Sequence, residues 1–221
     1  MKVLLIGNGY SAIEQKYGNI IDSEFDYVFR MNRFKTVGFE DYVGSKTDGW
    51  VITDIAFKWI LAEEEGVEGS KNWKNYTDIC ISIPSFKYEQ EYLRISNEIQ
   101  VNGLPNNIQI LPQHPGDVAA EQCNLSDGYW PTLGMVFLYC LILHEGTDEI
   151  YIHGFDGKSK KYEYLHYYDV GNPEWETEAY YNRMTKKAEE TPWSKVHDDA
   201  TEYKHIEKLI EEGKIKKLSE V

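Results

Sequence analysis

The 221-residue chain is poor in cysteine, in long apolar runs and in positive charge, and each shortage removes a class of protein. Cys80, Cys123 and Cys140 are its three cysteines, widely spaced and odd in number, which excludes a disulfide framework and suits a reducing compartment or a scaffold that needs no staples. The longest apolar stretch, 133–143, is 11 residues long and contains Gly134, whereas a membrane span needs about 20, so this stretch is expected to be a buried core helix and no stable membrane insertion is expected. Only four apolar residues, Val3 to Ile6, precede Gly7, too few for the core of a signal peptide. Lys and Arg number 23 against 37 Asp and Glu, a net charge of -14, which argues against tracking along nucleic-acid phosphates or adsorption to anionic lipid. There is no internal repeat and no low-complexity tract. The expected protein is soluble, cytoplasmic or otherwise free of the membrane.

The remaining composition is that of a folded protein: 42% hydrophobic and 27% charged residues, with enough length to bury the core of one α/β domain over residues 1–221. The 17 tyrosines and six tryptophans suit sugar faces, cores and interfaces alike. Short apolar runs at 3–6, 27–31, 49–53, 79–83, 108–111 and 150–153 alternate with helical patterns at 55–65, 88–101, 132–145 and 198–212. That alternation predicts a Rossmann-like domain, a mostly parallel twisted sheet flanked by helices. Between about 154 and 195 the periodicity fades while Tyr, Trp, Glu, Lys and Pro accumulate, the composition of an irregular lid over a ligand.

Gly7-Asn8-Gly9 follows the first strand, and the capping-box spacing of Ser11 and Glu14 predicts a helix that starts at Ser11, stops near Gly18 and points its N-terminus at the turn. Backbone amides and a positive helix end there would favour a phosphate. The third glycine of the dinucleotide fingerprint is missing, so a plain tight turn explains the glycines equally well. Asn32 follows the second strand directly. In a parallel sheet Asn8 and Asn32 both stand at strand carboxyl ends, where two neutral amides can hydrogen-bond phosphate, ribose or base. Val43-Gly44-Ser45-Lys46-Thr47 imitates the end of a phosphate-binding loop, but Phe39 stands where the upstream glycine is required, and that reading is rejected. Thr132 precedes the most apolar helix and reads as its N-cap, a geometry that also offers Thr132 and the Gly134 amide to an anion.

Two histidines are each followed by an acid at short spacing: His166-Tyr167-Tyr168-Asp169, and His197 with Glu202 five residues on. An imidazole can be a neutral base at working pH, although a surface histidine is more often decoration. Neither spacing matches a standard zinc motif, so no metal is expected.

In order along the chain, these pieces resemble the sialyltransferases of glycosyltransferase family 29. The large motif is similar to Val3–Gly9, Asp22, Val28-Phe29-Arg30-Met31-Asn32, Phe39 and Asp41–Thr47. The small motif is similar to Pro131-Thr132-Leu133-Gly134, Leu141, His144 and Ile150–Phe155, the third to His166–Asp169, and the very small motif to His197–Glu202. The Gly-Asn-Gly-x-Ser start and Phe29-Arg30-Met31-Asn32 also look like the compact bacterial sialyltransferases of family 42. The resemblance implies inverting, metal-independent transfer of sialic acid from CMP-sialic acid to a glycan hydroxyl, with no cofactor beyond the CMP-sugar donor and with the glycan as acceptor. His197 would be the general base and His166 would hydrogen-bond the departing CMP phosphate. Asn8, Gly9, Asn32, Thr132 and Gly134 would bind the donor, supported by Ser11, Tyr167, Asp169 and Glu202. Animal members carry a membrane anchor and a cysteine pair joining the first two motifs; here Val3 and the region of Gly146-Thr147 replace those cysteines, Leu133 stands where a hydroxyl residue is common, and a bacterial, phage or other viral source would fit these departures. The rivals are transfer of another CMP-linked acidic sugar such as Kdo, a CMP-sugar hydrolase or non-catalytic nucleotide-binding protein, and a nicotinamide-dependent oxidoreductase, which Asn32 disfavours because an acid is expected on the ribose.

Overall fold

Among the described residues seven strands lie parallel in one sheet, in the order β5-β4-β3-β2-β1-β6-β7. The strands are β1 (Lys2–Ile6), β2 (Tyr27–Met31), β3 (Gly49–Thr53), β4 (Asp78–Ser82), β5 (Ile108–Ile110), β6 (Glu149–His153) and β7 (Lys216–Lys217). The helices are α1 (Gly18–Glu24), α2 (Glu40–Val43), α3 (Lys58–Ala62), α4 (Glu68–Asn72), α5 (Tyr88–Val101), α6 (His114–Gln122), α7 (Leu133–Ile142) and α8 (Asp199–Glu211). The computed structural model describes residues 1–63, 67–126, 129–156, 163–169 and 197–221. Most of the expected lid, 154–195, lies outside the described residues.

Side chains alternate across the sheet and both faces are covered, which is why the strands read as nearly continuous apolar runs. Val3, Leu5, Phe29, Met31, Val51, Cys80, Ile150 and Ile152 pack under α6, α7 and α8. On the other face Leu4, Ile6 and Val28 meet Ile21 of α1, while Trp50, Ile52, Ile79 and Ile81 meet Ile60 of α3 and Ile95 of α5. Eight of the ten residues of α7 are buried, as expected of a helix apolar all round. Among the described residues no helix is long and apolar enough to cross a membrane.

The strand order reverses at β1, with β2 on one side and β6 on the other. Ligands of open α/β sheets bind at the strand carboxyl ends beside such a switch. Asn8 and Asn32 both lie on that edge.

The helix expected from Ser11 to Gly18 does not form. Residues Tyr10–Ile13 make a four-residue 3-10 turn capped by Gly9, and α1 begins at Gly18 instead. Ser11 is drawn to Asp156, which accepts from its amide at 2.9 Å and from its hydroxyl. Gly18 is required at the start of α1 because α2 crosses there: a Cβ would collide with the Glu40 carbonyl. The Val43–Thr47 segment is structural. Buried Arg30 donates to the carbonyls of Val43, Gly44 and Lys46 at 2.7, 3.1 and 3.0 Å, and Asp22 accepts from the amides of Ser45 and Lys46, each at 2.8 Å.

Candidate active site

The turn after β1 is tied to the loop after β6. The Gly7 and Gly9 amides donate to the carbonyls of His153 and Gly154 at 2.7 and 2.9 Å. A Cβ on Gly9 would stand 2.5 Å from Asp156 Oδ2 and 2.7 Å from the Gly154 oxygen. Close approach therefore explains these glycines, and their amides are used within the protein. The expected anion cradle built on a helix end is replaced by this backbone junction.

Asn8 uses its Nδ2 to bind the carbonyls of Met31 and Arg33 at 2.9 and 2.6 Å, fastening the turn after β1 to the turn after β2. Its Oδ1 is buried with no hydrogen-bond partner among the described residues, an acceptor whose neglect would cost about 1–3 kcal/mol. Asn32 adopts a left-handed backbone (φ 47°), which asparagine tolerates better than most residues. Its carbonyl accepts from Trp50 Nε1 at 2.8 Å and its Oδ1 from the Thr53 amide at 3.3 Å. The fold thus uses the donors of one amide and the acceptor of the other, so Asn8 retains an acceptor and Asn32 a donor toward a bound molecule.

The third motif is anchored to the same two turns. The Tyr167 amide donates to the Asn8 carbonyl at 3.1 Å, the Tyr167 hydroxyl donates to the Lys35 carbonyl at 2.6 Å, and the Tyr168 hydroxyl donates to the Arg33 carbonyl at 2.9 Å. Tyr167 is fully buried with Ala12 and Val43 and stacks edge-on with Phe39, so α2 supports the motif from beneath. Burial pushes the Tyr167 phenol up to about 12 and raises Tyr168 as well, keeping both neutral. His166 lies over Tyr168 with ring centroids 5.3 Å apart and an interplanar angle of 11°. Its Nδ1 meets Asp169 Oδ2 at 2.6 Å. The carboxylate only accepts, so Nδ1 carries a proton and any donation to a ligand comes from Nε2.

The small and very small motifs are stapled together in the same way. Thr132 caps α7, its hydroxyl accepting from the Met135 amide at 3.4 Å, and both the Thr132 amide and hydroxyl donate to buried Glu202 of α8, at 2.8 and 2.5 Å. Thr132 Oγ1 is thus used by the cap and by Glu202, while the first-turn amides of α7, Gly134 among them, lie at a helix end suited to an anion. Gly134 also admits neighbours: a Cβ there would meet Phe155 at 3.0 Å and Met31 at 3.3 Å. Because Met31 precedes Asn32, this contact places the α7 end beside the asparagine pair.

His197 enters just before α8, and its Nδ1 lies 2.8 Å from the Trp130 carbonyl. A carbonyl cannot donate, so the neutral ring carries its proton on Nδ1 and its lone pair on Nε2, the tautomer of a base that accepts at Nε2. A cavity of about 260 Å³ opens beside these elements, lined by Ser11, Gly154, Phe155, Asp156 and, from α8, Tyr203 and Glu207.

All the expected site residues therefore lie on elements that meet at one edge of the sheet. The sequence reading missed Asp156, which locks Ser11, and Trp130, which holds His197. Trp130 acts through its carbonyl, which carries no sequence signal. Among the described residues no three His, Cys, Asp or Glu side chains converge to hold a metal.

The parallel sheet, with its strand order reversing at β1 and helices on both faces, defines a doubly wound α/β fold. Residues 3–214 match the model of glycosyltransferase family 29 (sialyltransferase), and the chain belongs to that family. It is 25% identical over 167 residues to a CMP-N-acetylneuraminate-beta-galactosamide-alpha-2,3-sialyltransferase 1 of Gallus gallus, covering 75% of this chain and 46% of that one. The Sus scrofa counterpart is 27% identical over 171 residues, covering 76% and 47%. The chain thus spans about half the length of the curated relatives it matches. The crystal structure of a mammalian sialyltransferase superposes with a TM-score of 0.62 at 22% identity, covering 98% of this chain and 68% of that one. Its complex with Gal-beta-1-3GalNAc-ortho-nitrophenol gives a TM-score of 0.60 with the same coverage.

Proposed function

We propose that the protein is an inverting, metal-independent sialyltransferase that moves sialic acid from CMP-sialic acid to a glycan hydroxyl. Family membership carries the reaction class, and the hydrogen bond from His197 Nδ1 to the Trp130 carbonyl carries the mechanism. Nε2 of His197 takes the proton of the acceptor hydroxyl as its oxygen attacks the anomeric carbon. The bond to the CMP phosphate breaks on the opposite face, which inverts the centre. Such a base contributes about 10²–10⁴-fold.

The departing CMP phosphate is a good leaving group whose growing charge needs hydrogen bonds more than a full proton. His166 supplies one from Nε2 in its doubly protonated form, with the Asp169 carboxylate balancing the ring's charge through Nδ1. First-turn amides of α7 at Gly134 add neutral donors. Asn8 Oδ1 and Asn32 Nδ2 hold the nucleotide or sugar hydroxyls. This division of labour assigns to side chains and amides the charge stabilisation that a divalent ion supplies elsewhere, and no cofactor is required.

The test is release of CMP from CMP-sialic acid by the purified protein in EDTA, with and without a galactoside acceptor. Release that the acceptor stimulates and EDTA spares supports the proposal. A protein that releases CMP neither to acceptor nor to water contradicts it, and release to water alone makes it a hydrolase.

A further inference from the structure

We propose that Gly116, on a helix that supplies no residue of the expected site, positions the general base through Trp130. This rests on reading His197 as the base. Gly116 is the third residue of α6, where glycine is a poor helix former. Its backbone does not need glycine, because it is not among the positive-φ residues. Its lack of a side chain is used for contact instead. A Cβ there would stand 2.6 Å from Trp130 Cζ2 and 2.8 Å from Cη2, so the six-membered part of the indole rests directly on the α6 backbone. Trp130 is buried, and a ring seated against a helix backbone has nowhere to retreat without moving its own main chain.

That main chain carries the functional contacts. The Trp130 carbonyl accepts a hydrogen bond from His197 Nδ1, and two residues later Thr132 is gripped by Glu202. The segment 130–132 is therefore joined at two points to 197–202, and the indole seat fixes how far it stands from α6. A methyl at residue 116 lifts the indole, shifts the carbonyl and turns the imidazole away from the acceptor hydroxyl. Asn8 and Asn32 lie on β1 and β2 turns that this wedge does not touch, so donor binding should fall less than transfer, even though the α7 amides at Gly134 follow the moved segment.

The experiment compares wild type, G116A, W130F and the double variant G116A/W130F, measuring acceptor-dependent kcat, its pH profile, and CMP binding by calorimetry. Phenylalanine lacks the atoms that the new methyl would strike, so the double variant relieves the clash. G116A should lose up to about 10²-fold in kcat, the scale expected of a misplacement near 1 Å. Its CMP affinity should fall by much less than its kcat, and the acidic limb of its kcat–pH profile should move. The double variant should return to the W130F level. A wild-type kcat in G116A, or a double variant no better than G116A, would overturn the proposal. His197→Ala, run in parallel, separates the two readings: if it leaves transfer intact, the assignment of the base has failed, whatever Gly116 does.

Discussion

The carboxylate of Glu202 holds Thr132 at two points, accepting from its amide at 2.8 Å and from its hydroxyl at 2.5 Å. One acid thus satisfies a helix cap from outside the helix and joins the start of α8 to the start of α7. Hydrogen bonds to a buried charged acceptor are worth about 1.5–3 kcal/mol, and stranding their donors costs more. Glu202→Ala should destabilise the protein by about 3 kcal/mol and Glu202→Gln by about half that, since the amide keeps one acceptor. Urea denaturation gives these values. Both variants should also lose kcat, because His197 lies on the segment that Glu202 secures.

His166 and Asp169 should behave as a unit of unequal halves. Removing a preorganised donor to developing charge costs about 10²–10³-fold, the loss expected in kcat for His166→Ala. Asp169→Ala leaves the ring but not its orientation and should lose about tenfold, the lower bound seen when an outer-shell partner is removed. Steady-state kinetics on both, with CMP affinity measured separately, checks the order.

Stability should fall in mild acid because of His153. Burial holds its pKa down, from 6.5 to about 4, and its ring nitrogen Nε2 donates to the Ala12 carbonyl at 3.0 Å. Between those values the unfolded chain binds a proton that the folded chain refuses, so stability is intact above pH 6.5 and is lost as pH drops toward 4. The full loss is about 3 kcal/mol. Buried His205, also lowered by desolvation, adds in the same direction. Thermal melts across this range should show a flatter slope in His153→Gln, whose amide can still reach the carbonyl.

Arg30 organises the segment after α2 without a carboxylate touching its guanidinium. Burial lowers its pKa, and Nη1 has no hydrogen-bond partner among the described residues. Arg30→Met removes that desolvation cost but strands the carbonyls of Val43, Gly44 and Lys46. With about 1 kcal/mol for each carbonyl, the variant should lose about 3 kcal/mol. Arg30→Lys should recover little, because an ammonium cannot reproduce the fork. Denaturant melts decide it.

What was legible in the sequence followed from interaction range. Strand β3 and helix α5 form over the residues the apolar patterns indicate, 49–53 and 88–101, because a buried strand or amphipathic helix writes its own periodicity. The pair His166–Asp169 was visible for the same reason, being three residues apart. Ser11 misled because its capping-box spacing is local, while the partner that wins, Asp156, lies 145 residues away. Glu202 and Thr132 are 70 residues apart, and His197 depends on a backbone carbonyl. The sequence offered candidate residues for the site, but the partners that hold them required the fold.

Metal-independent transfer with His197 as the base makes two demands on the kinetics: indifference to chelator and dependence on one imidazole. The measurement that tests it most directly is acceptor-dependent CMP release from CMP-sialic acid in EDTA by wild type and His197→Ala. The wild-type rate should be unchanged by EDTA and the variant should lose about 10²–10⁴-fold, with CMP affinity retained. A wild-type rate abolished by EDTA, or a variant that transfers as fast as wild type, would contradict it.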